Sequence, residues 1–198
     1  MEPMEPIGLQ HKDAAAATLA EAFSDDPLLD IVAPDRQRRA AIAPWFMGLP
    51  LEYGLRYGRV WANEDTSAVA VWFVPGATDM TPPRMLRIGM ARVPMRLGLT
   101  GTRRFATAMS ATEKFHKEVE GPHWYLVALG TRPERQGEGL GSALVELGTS
   151  RADDEGIPCY LETGTASNIA YYTKRGFEVL GHTEVFGHTL TGMVRRPR

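Results

Sequence analysis

A glycine-rich stretch in the second half of the chain has the composition of an anion-binding loop. The apolar run at residues 124–129 predicts a buried strand, and Pro133 prevents that strand from continuing. The next segment reads Gln136-Gly137-Glu138-Gly139-Leu140-Gly141 and leads into a predicted helix. Glycine lets a phosphate come close to the main chain, and the N–H groups and dipole at a helix N-terminus favour negative charge.

The spacing of these glycines excludes two common phosphate loops. The P-loop of nucleoside triphosphatases requires Gly-Lys-Ser/Thr at the start of the helix, and this chain lacks it there. Gly137, Gly139 and Gly141 alternate with other residues and do not have the register of a dinucleotide-binding fingerprint. The residues alone therefore indicate either a phosphate site of another kind or a glycine-rich turn without a ligand.

A second motif follows the loop. Its parts are Tyr160-Leu161-Glu162-Thr163 and Asn168-Ile169-Ala170-Tyr171-Tyr172-Thr173-Lys174-Arg175-Gly176-Phe177. Gln/Arg-x-x-Gly-x-Gly/Ala followed by an Asn and then Tyr-x-x-x-Gly-Phe is typical of the GNAT N-acetyltransferases, which this chain resembles. Within that superfamily it is most similar to the relatives of puromycin N-acetyltransferase, through residues 58–61, 68–72, 136–143 and 161–163. The similarity fails between residue 75 and about residue 110.

The resemblance implies an α/β (α+β) fold in one domain over residues 1–198. Its mixed central sheet would be flanked by helices, with a splay between the strand before the pyrophosphate loop and the next strand. We expect an acetyl-CoA-binding core at about residues 122–177. The variable segment at about residues 75–118 would then face the acceptor.

The resemblance also implies acetyl-CoA as cosubstrate, with no metal. Main-chain groups near Leu129 and Thr131 would contact the pantetheine arm, and Ser142 would donate to a phosphate. Asn168 would touch the same arm, although capping of its helix explains this residue nearly as well. The implied cosubstrate-binding residues are Leu129, Thr131, Gln136, Gly137, Gly139, Gly141, Ser142 and Asn168. Glu138 departs from the pattern, because many relatives carry Lys or Arg there.

Tyrosine and glutamate side chains are candidates for proton transfer in the implied reaction, in which an amine attacks the acetyl thioester. Tyr172 fits the register of the tyrosine that protonates the leaving thiolate, and a phenol stays protonated at neutral pH. Tyr171 falls outside that register and is expected to pack in the core. Glu162, at a predicted strand end, is a candidate general base, with a structural carboxylate as the alternative.

Histidines give one further candidate base. His116 has a suitable ordinary pKa, but it shares a helical stripe with Phe105 and Met109, so a packing histidine is the alternative. The other three histidines of the second half of the chain are predicted to be surface residues without partners. They are His123, His182 and His188.

The elements that must position these residues alternate along the chain. Helices are predicted at residues 13–23, 35–53 (interrupted or kinked near Pro44), 103–117, 139–153 and 168–174, and strands at 59–63, 68–74, 124–129, 158–162 and after Phe177. Short helices are expected between residues 75 and 104, where glycine and proline interrupt the apolar runs. This alternation predicts a mixed α/β sheet.

Composition removes several other classes of protein. The net charge is −2, from 22 Lys and Arg against 24 Asp and Glu, and this balance supports neither a nucleic-acid nor a membrane partner. The single cysteine, Cys159, cannot form an internal disulfide and is expected to be buried. The acidic, proline-bearing start of the chain has no signal-peptide pattern, so we expect a cytoplasmic protein.

These observations predict acetyl transfer from acetyl-CoA to the amine of a small-molecule acceptor, by direct attack in a ternary complex. An antibiotic-like amine is one candidate acceptor. Two alternatives are a protein or peptide N-acetyltransferase and a non-catalytic acyl-CoA-binding sensor on the same fold. The sequence leaves open whether the protein is a monomer or a homodimer.

Overall fold

A mixed seven-stranded sheet forms the centre of the computed structural model, which describes residues 2–198. The strands are β1 (Met4–Pro6), β2 (Arg59–Asn63), β3 (Ala68–Phe73), β4 (Trp124–Thr131), β5 (Cys159–Thr163), β6 (Glu178–Val185) and β7 (His188–Arg195). They lie in the order β1-β2-β3-β4-β5-β7-β6. Neighbouring strands are antiparallel, except that β4 and β5 run parallel. The predicted mixed sheet with flanking helices is confirmed.

Seven α-helices surround the sheet in residues 2–198. They are α1 (Lys12–Ala22), α2 (Pro27–Val32), α3 (Arg36–Tyr57), α4 (Pro82–Arg87), α5 (Val93–Glu118), α6 (Leu140–Glu155) and α7 (Ala166–Thr173). Helices α1 and α3 contact each other and the sheet, and α6 packs on β3 and β4. None of the helices in the described residues is long and apolar enough to cross a membrane.

The alternation of side chains along β3 divides the core between the two faces of the sheet. Val69, Val71 and Phe73 belong to the cluster that includes α1 and α3, whereas Ala70 and Trp72 belong to the cluster that includes α6. All six residues of β3 are buried, as expected for a central strand with helices on both faces. Cys159 is likewise fully buried, as its predicted strand position indicated.

The structure adds two elements and extends a third. Strand β1 and helix α2 were not predicted. The Asp26 side chain accepts a hydrogen bond from the Leu28 N–H at 2.8 Å, and Pro27 occupies the first turn of α2. The polar residues 24–26 that follow α1 therefore lead directly into α2. Helix α3 is not interrupted at Pro44. Helix α5 begins at Val93, earlier than predicted, and bends at Gly98, where φ is 69°.

Two glycines allow α5 to pack closely against the sheet. A Cβ atom at Gly181 would lie 2.5 Å from the Phe115 ring, and one at Gly192 would lie 2.6 Å from the Phe115 Cβ atom. Phe115 therefore reaches the backbone of β6 and β7 because neither residue has a side chain. This contact fixes the last turns of α5 beside the end of β5.

Gly148→Ala tests the packing of α6 on β3. A Cβ atom at residue 148 would lie 2.3 Å from the fully buried Trp72 ring. Alanine would otherwise stabilise a helix by about 1 kcal/mol relative to glycine. Because of the clash, we expect the free energy of unfolding to fall by about 1–3 kcal/mol in urea denaturation. The exposed control on the same helix, Ser150→Ala, is expected to stay within about 0.5 kcal/mol of the parent protein. A more stable Gly148→Ala protein would contradict this packing.

Candidate active site

Strands β4 and β5 separate soon after they meet. They pair only at Trp124–Cys159, Tyr125–Tyr160 and Leu126–Leu161, whereas β3 follows β4 as far as Thr131. Val127 is an extra residue on β4, because Leu126 pairs with Trp72 and Ala128 with Val71. Beyond Leu126, the edge of β4 that faces β5 therefore has no strand partner in residues 2–198. Its backbone groups remain available to a ligand.

The glycine loop lies just past this free edge. Gly137 and Gly139 have φ values of 87° and 84°, which glycine adopts without strain. A Cβ atom at either position would meet nothing within 4 Å, so the loop borders open space. Gly139 is the N-cap of α6 and provides no side-chain cap, which leaves first-turn N–H groups for a ligand. Gln136 bends back on the loop, and its Nε2 donates to the Thr131 carbonyl at 3.2 Å.

Charged side chains surround the loop. The Arg135 guanidinium donates to the carboxylates of Glu138 at 2.9 Å, Asp65 at 2.8 Å and Glu2 at 2.9 Å. On the other side, Arg175 donates to the Ser142 hydroxyl and stacks on the Tyr171 ring at 3.4 Å from its centroid. The acid that departs from the family pattern thus has an arginine partner, which it shares, and a second cation stands beside the first turn of α6.

A cavity of about 190 Å³ opens at the splay. Four predicted site residues line it together: Leu129, Glu162, Asn168 and Tyr172. Helices α2, α3 and α5 close the other side with mostly apolar side chains. These include Leu28, Phe46, Met47, Phe105, Met109 and Thr112.

Glu162 presents its carboxylate to this cavity near the end of β5. Its Oε1 accepts a hydrogen bond from the Tyr160 hydroxyl at 2.9 Å, and the hydroxyl groups of Thr112 and Tyr125 also interact with it. Burial raises the pKa of Glu162, and the hydrogen bonds from these three hydroxyl groups offset part of that rise. A raised pKa brings a carboxylate closer to the range in which a general base operates.

The two adjacent tyrosines of α7 have different surroundings. Tyr172 lines the cavity, and burial raises its pKa, so its hydroxyl keeps its proton. Tyr171 is not among the lining residues. Its hydroxyl is buried against the start of α6 and has no hydrogen-bond partner in residues 2–198. The spacing of the Tyr-x-x-x-Gly-Phe motif likewise favours Tyr172, and not Tyr171, as the tyrosine of the site.

His116 does not reach the cavity. Its Nε2 lies 2.7 Å from the Nε2 of His123, and its ring stacks on Tyr160 at 5.0 Å. Because the Nδ1 of His123 lies 3.0 Å from the Gly121 carbonyl oxygen, Nδ1 carries the proton and the His123 Nε2 accepts from His116. Burial and the neighbouring His123 lower the pKa of His116.

The prediction that the other histidines lack partners was wrong. His123 is buried and bonds to His116, His182 bonds to the Thr191 hydroxyl at 2.8 Å, and His188 pairs with Asp30 at 2.9 Å. These contacts depend on how α5 meets the start of β4, on the facing strand of a hairpin, or on a distant part of the chain, so side-chain spacing within one element gave no signal of them.

The residue that caps α7 also differs from the predicted one. Asn168 was offered as the helix cap, but the helix begins at Ala166 and the Thr165 hydroxyl accepts from the Asn168 N–H at 3.2 Å. The Asn168 side chain is therefore free of the capping role and lines the cavity. Ser142 lies in the first turn of α6 as predicted, with its hydroxyl bonded to Arg175.

Asp26 is a cavity residue that sequence reasoning missed. It lines the same cavity as Glu162 and Tyr172, and its position as the cap of α2 was the only available signal. Burial raises its pKa from 3.8 to about 6, although the Leu28 N–H and the nearby His188 oppose this rise. The cavity thus contains two carboxyl groups, while none of the Lys, Arg and His residues in the described part of the chain lines it.

Asp26→Asn tests this burial through the pH dependence of stability. The folded protein holds the Asp26 proton more tightly than the unfolded chain, so the stabilisation is fully present below pH 3.8 and is lost as the pH rises through about 6. Asparagine caps a helix equally well and does not ionise. We therefore expect the variant to gain up to about 3 kcal/mol over the parent protein between pH 4 and pH 8, measured by urea denaturation.

The exposed neighbour provides the control for this measurement. Asp25→Asn removes a carboxylate that is largely exposed and lies 3.5 Å from Arg36. Its stability relative to the parent protein should stay nearly constant over the same pH range. If the stability of both variants relative to the parent protein changed in the same way with pH, the result would contradict the burial of the Asp26 carboxyl group.

Comparisons with known proteins agree with this geometry. Residues 97–177 match the sequence profile of the Acetyltransferase (GNAT) family. The chain is 30% identical over 171 residues to the uncharacterized N-acetyltransferase C550.08 of Schizosaccharomyces pombe, in an alignment that covers 82% of this chain and 69% of that protein.

Solved structures show the same fold. One is described as histone acetyltransferase HPA2 and related acetyltransferase from Corynebacterium glutamicum (TM-score 0.75, 24% identity, 100% of this chain and 98% of that chain). Another is arylalkylamine N-acetyltransferase 2 from Aedes aegypti (TM-score 0.71, 17% identity, 99% of each chain). From the family profile, the curated relative and the splayed sheet with its glycine loop, we conclude that the chain belongs to the GNAT family of acetyltransferases.

Proposed function

We propose that this protein transfers the acetyl group of acetyl-CoA directly to the amine of a small-molecule acceptor. The observation that carries the proposal is that Glu162 and Tyr172 line one cavity, at the place where β4 and β5 separate. One is a carboxylate that can take a proton and the other is a phenol that can give one.

The surroundings of the splay fit acetyl-CoA. The open space beside Gly137 and Gly139, together with the uncapped start of α6, suits a pyrophosphate group. The free edge of β4 near Leu129 and Thr131 suits the amide groups of a pantetheine arm, with Asn168 across the cavity. Gln136, Gly141 and Ser142 complete the proposed binding residues. When bound, acetyl-CoA supplies an acetyl thioester, which an amine can attack without a covalent enzyme intermediate.

Glu162 is the proposed general base. An amine in the cavity arrives as an ammonium ion, and the proton must leave before nitrogen can attack. The raised pKa of Glu162 lets its carboxylate accept this proton, directly or through a water molecule. The Tyr160 hydroxyl, which donates to the carboxylate at 2.9 Å, holds it in place.

Tyr172 is the proposed general acid. Its hydroxyl stays protonated because burial raises its pKa, and it would give that proton to the departing thiolate. Backbone N–H groups on the free edge of β4, near Leu129, would stabilise the negative charge that develops on the carbonyl oxygen. Base, acid and backbone donors would then lie around one point in the cavity.

We further propose that residues 75–118 select the acceptor and that residues 122–177 form the acetyl-CoA-binding core. Met80, Ile88, Met90, Phe105 and Met109 of the first segment line the cavity, which supports this division. An aminonucleoside-like acceptor, as the resemblance to puromycin N-acetyltransferase relatives implies, falls within the proposal. A protein substrate would favour an open acidic groove, whereas this cavity is recessed and mostly apolar.

Tyr172→Phe and Tyr171→Phe form a matched pair that tests the general acid. Each variant removes one hydroxyl group from neighbouring residues of α7. We expect Tyr172→Phe to lower kcat about 100-fold, the usual scale for loss of a general acid, in an assay of acetyl-CoA thioester absorbance with an amine panel. Tyr171→Phe should leave kcat nearly unchanged. Equal effects of the two substitutions would contradict the assignment, and acetyl-CoA binding without any turnover would favour the sensor.

Glu162→Gln and His116→Gln test which residue is the base. In the pH profile of kcat/KM for the parent protein, the rate falls on the acid side. The midpoint of this acid limb should lie above the ordinary pKa of a glutamate, because burial raises the pKa of Glu162. Glu162→Gln should abolish this limb and lower kcat/KM about 100-fold near pH 7. His116→Gln should keep both the limb and most of the activity. If only His116→Gln lost the acid limb, His116 and not Glu162 would be the general base.

A further inference from the structure

We propose that the acceptor is an apolar monoamine, with one cationic nitrogen and an uncharged alkyl or aryl body. This inference rests on the proposed function and names the class of amine that the same cavity takes. It is carried by the lining of the cavity, in which Asp26 and Glu162 are the charged side chains among the described residues and most of the others are apolar.

The two carboxylates belong to neighbouring segments of the chain. Glu162 comes near the end of β5, and Gly164 follows it close to Pro27, since a Cβ atom at Gly164 would lie 2.8 Å from the Pro27 ring. Asp26 immediately precedes Pro27. Both carboxyl groups line the cavity that Tyr172 also lines, so an ammonium group finds its partners there.

The apolar part of the lining is built from aromatic rings and methionines. Phe46 and Phe105 meet edge to face, with centroids 5.3 Å apart and planes at 84°. Met47, Met90 and Met109 complete this wall. Aromatic edges and flexible thioether side chains adapt to alkyl or aryl groups, but they offer no partner to a second charge.

The outer surface of the same segment disfavours polycations. Six arginines and no Asp or Glu occur between residues 80 and 112. Arg87, Arg92, Arg96 and Arg103 are exposed, whereas Ile88 and Met90 of this segment line the cavity. The positive field at this side repels a polyamine or an aminoglycoside more strongly than a monoamine. A second ammonium group that entered the cavity would also lose its hydration against the Phe and Met wall.

A series of amines at fixed acetyl-CoA concentration tests the inference. The probes are butylamine, hexylamine and phenethylamine, with putrescine, agmatine and an uncharged-side-chain tripeptide as polar amines of similar length. Each amine is also titrated calorimetrically into the protein saturated with CoA, so that binding is measured whether or not turnover occurs. We expect affinity and kcat/KM to rise roughly threefold for each added methylene of the alkylamines, and putrescine to be at least tenfold weaker than butylamine.

Matched methionine variants locate the binding wall. Met109→Gln puts an amide in the cavity, and Met95→Gln makes the same change on the surface of the same helix, where the Met95 side chain is 87% exposed. Met109→Gln should lower kcat/KM about tenfold for hexylamine and by less for the shorter butylamine, whereas Met95→Gln should change neither. Met90→Gln is the second cavity variant, should Met109→Gln fold poorly.

The outcomes separate this inference from the proposed function. Turnover that is fastest with putrescine, agmatine or the tripeptide would overturn the apolar monoamine and leave acetyl transfer standing. Calorimetric affinity that rises with alkyl length, without turnover of any amine, would support the apolar amine site and overturn the proposed reaction. Absence of binding by every alkylamine and arylamine would overturn the inference itself.

Discussion

The separation of β4 from β5 is the constraint on which the site depends. The two parallel strands pair at three positions, and the extra residue Val127 then turns β4 away while β3 continues beside it. A fully paired sheet would satisfy the backbone of β4 and bury the ends of both strands. Because pairing stops, β4 offers backbone groups on one side of a cavity, and β5 carries Glu162 to the other side.

Packing and electrostatics give the surroundings of the splay regions of different character. The glycine loop and the start of α6 provide N–H groups, and Arg135 pairs with the Glu138 carboxylate beside them. The cavity contains a carboxylate and a phenol whose pKa values are raised by burial. Its apolar lining belongs largely to α3, α5 and the segment before α5. These regions suit the proposed transfer from a thioester to an amine with an apolar body.

The sequence predicted the parts of the site that depend on local backbone and register. Gly137 and Gly139 adopt the positive φ values that only glycine accepts easily, and the Tyr-x-x-x-Gly-Phe register selected Tyr172 over Tyr171. Contacts between different elements escaped prediction. The His116–His123 bond requires knowledge of how α5 meets β4, and the approach of Asp26 to the cavity depends on the unpredicted α2. Side-chain spacing within one element carries no information about either contact.

A crystal structure with bound acetyl-CoA would test the central claim most directly, by the distance from its sulfur atom to the Tyr172 hydroxyl. We predict that the pantetheine arm enters between β4 and β5, pairs with the free edge of β4, and places sulfur within hydrogen-bond reach of that hydroxyl. The acetyl group would then face Glu162. An arm that runs outside the splay, or a sulfur atom remote from Tyr172, would contradict the proposed roles of the splay and of Tyr172.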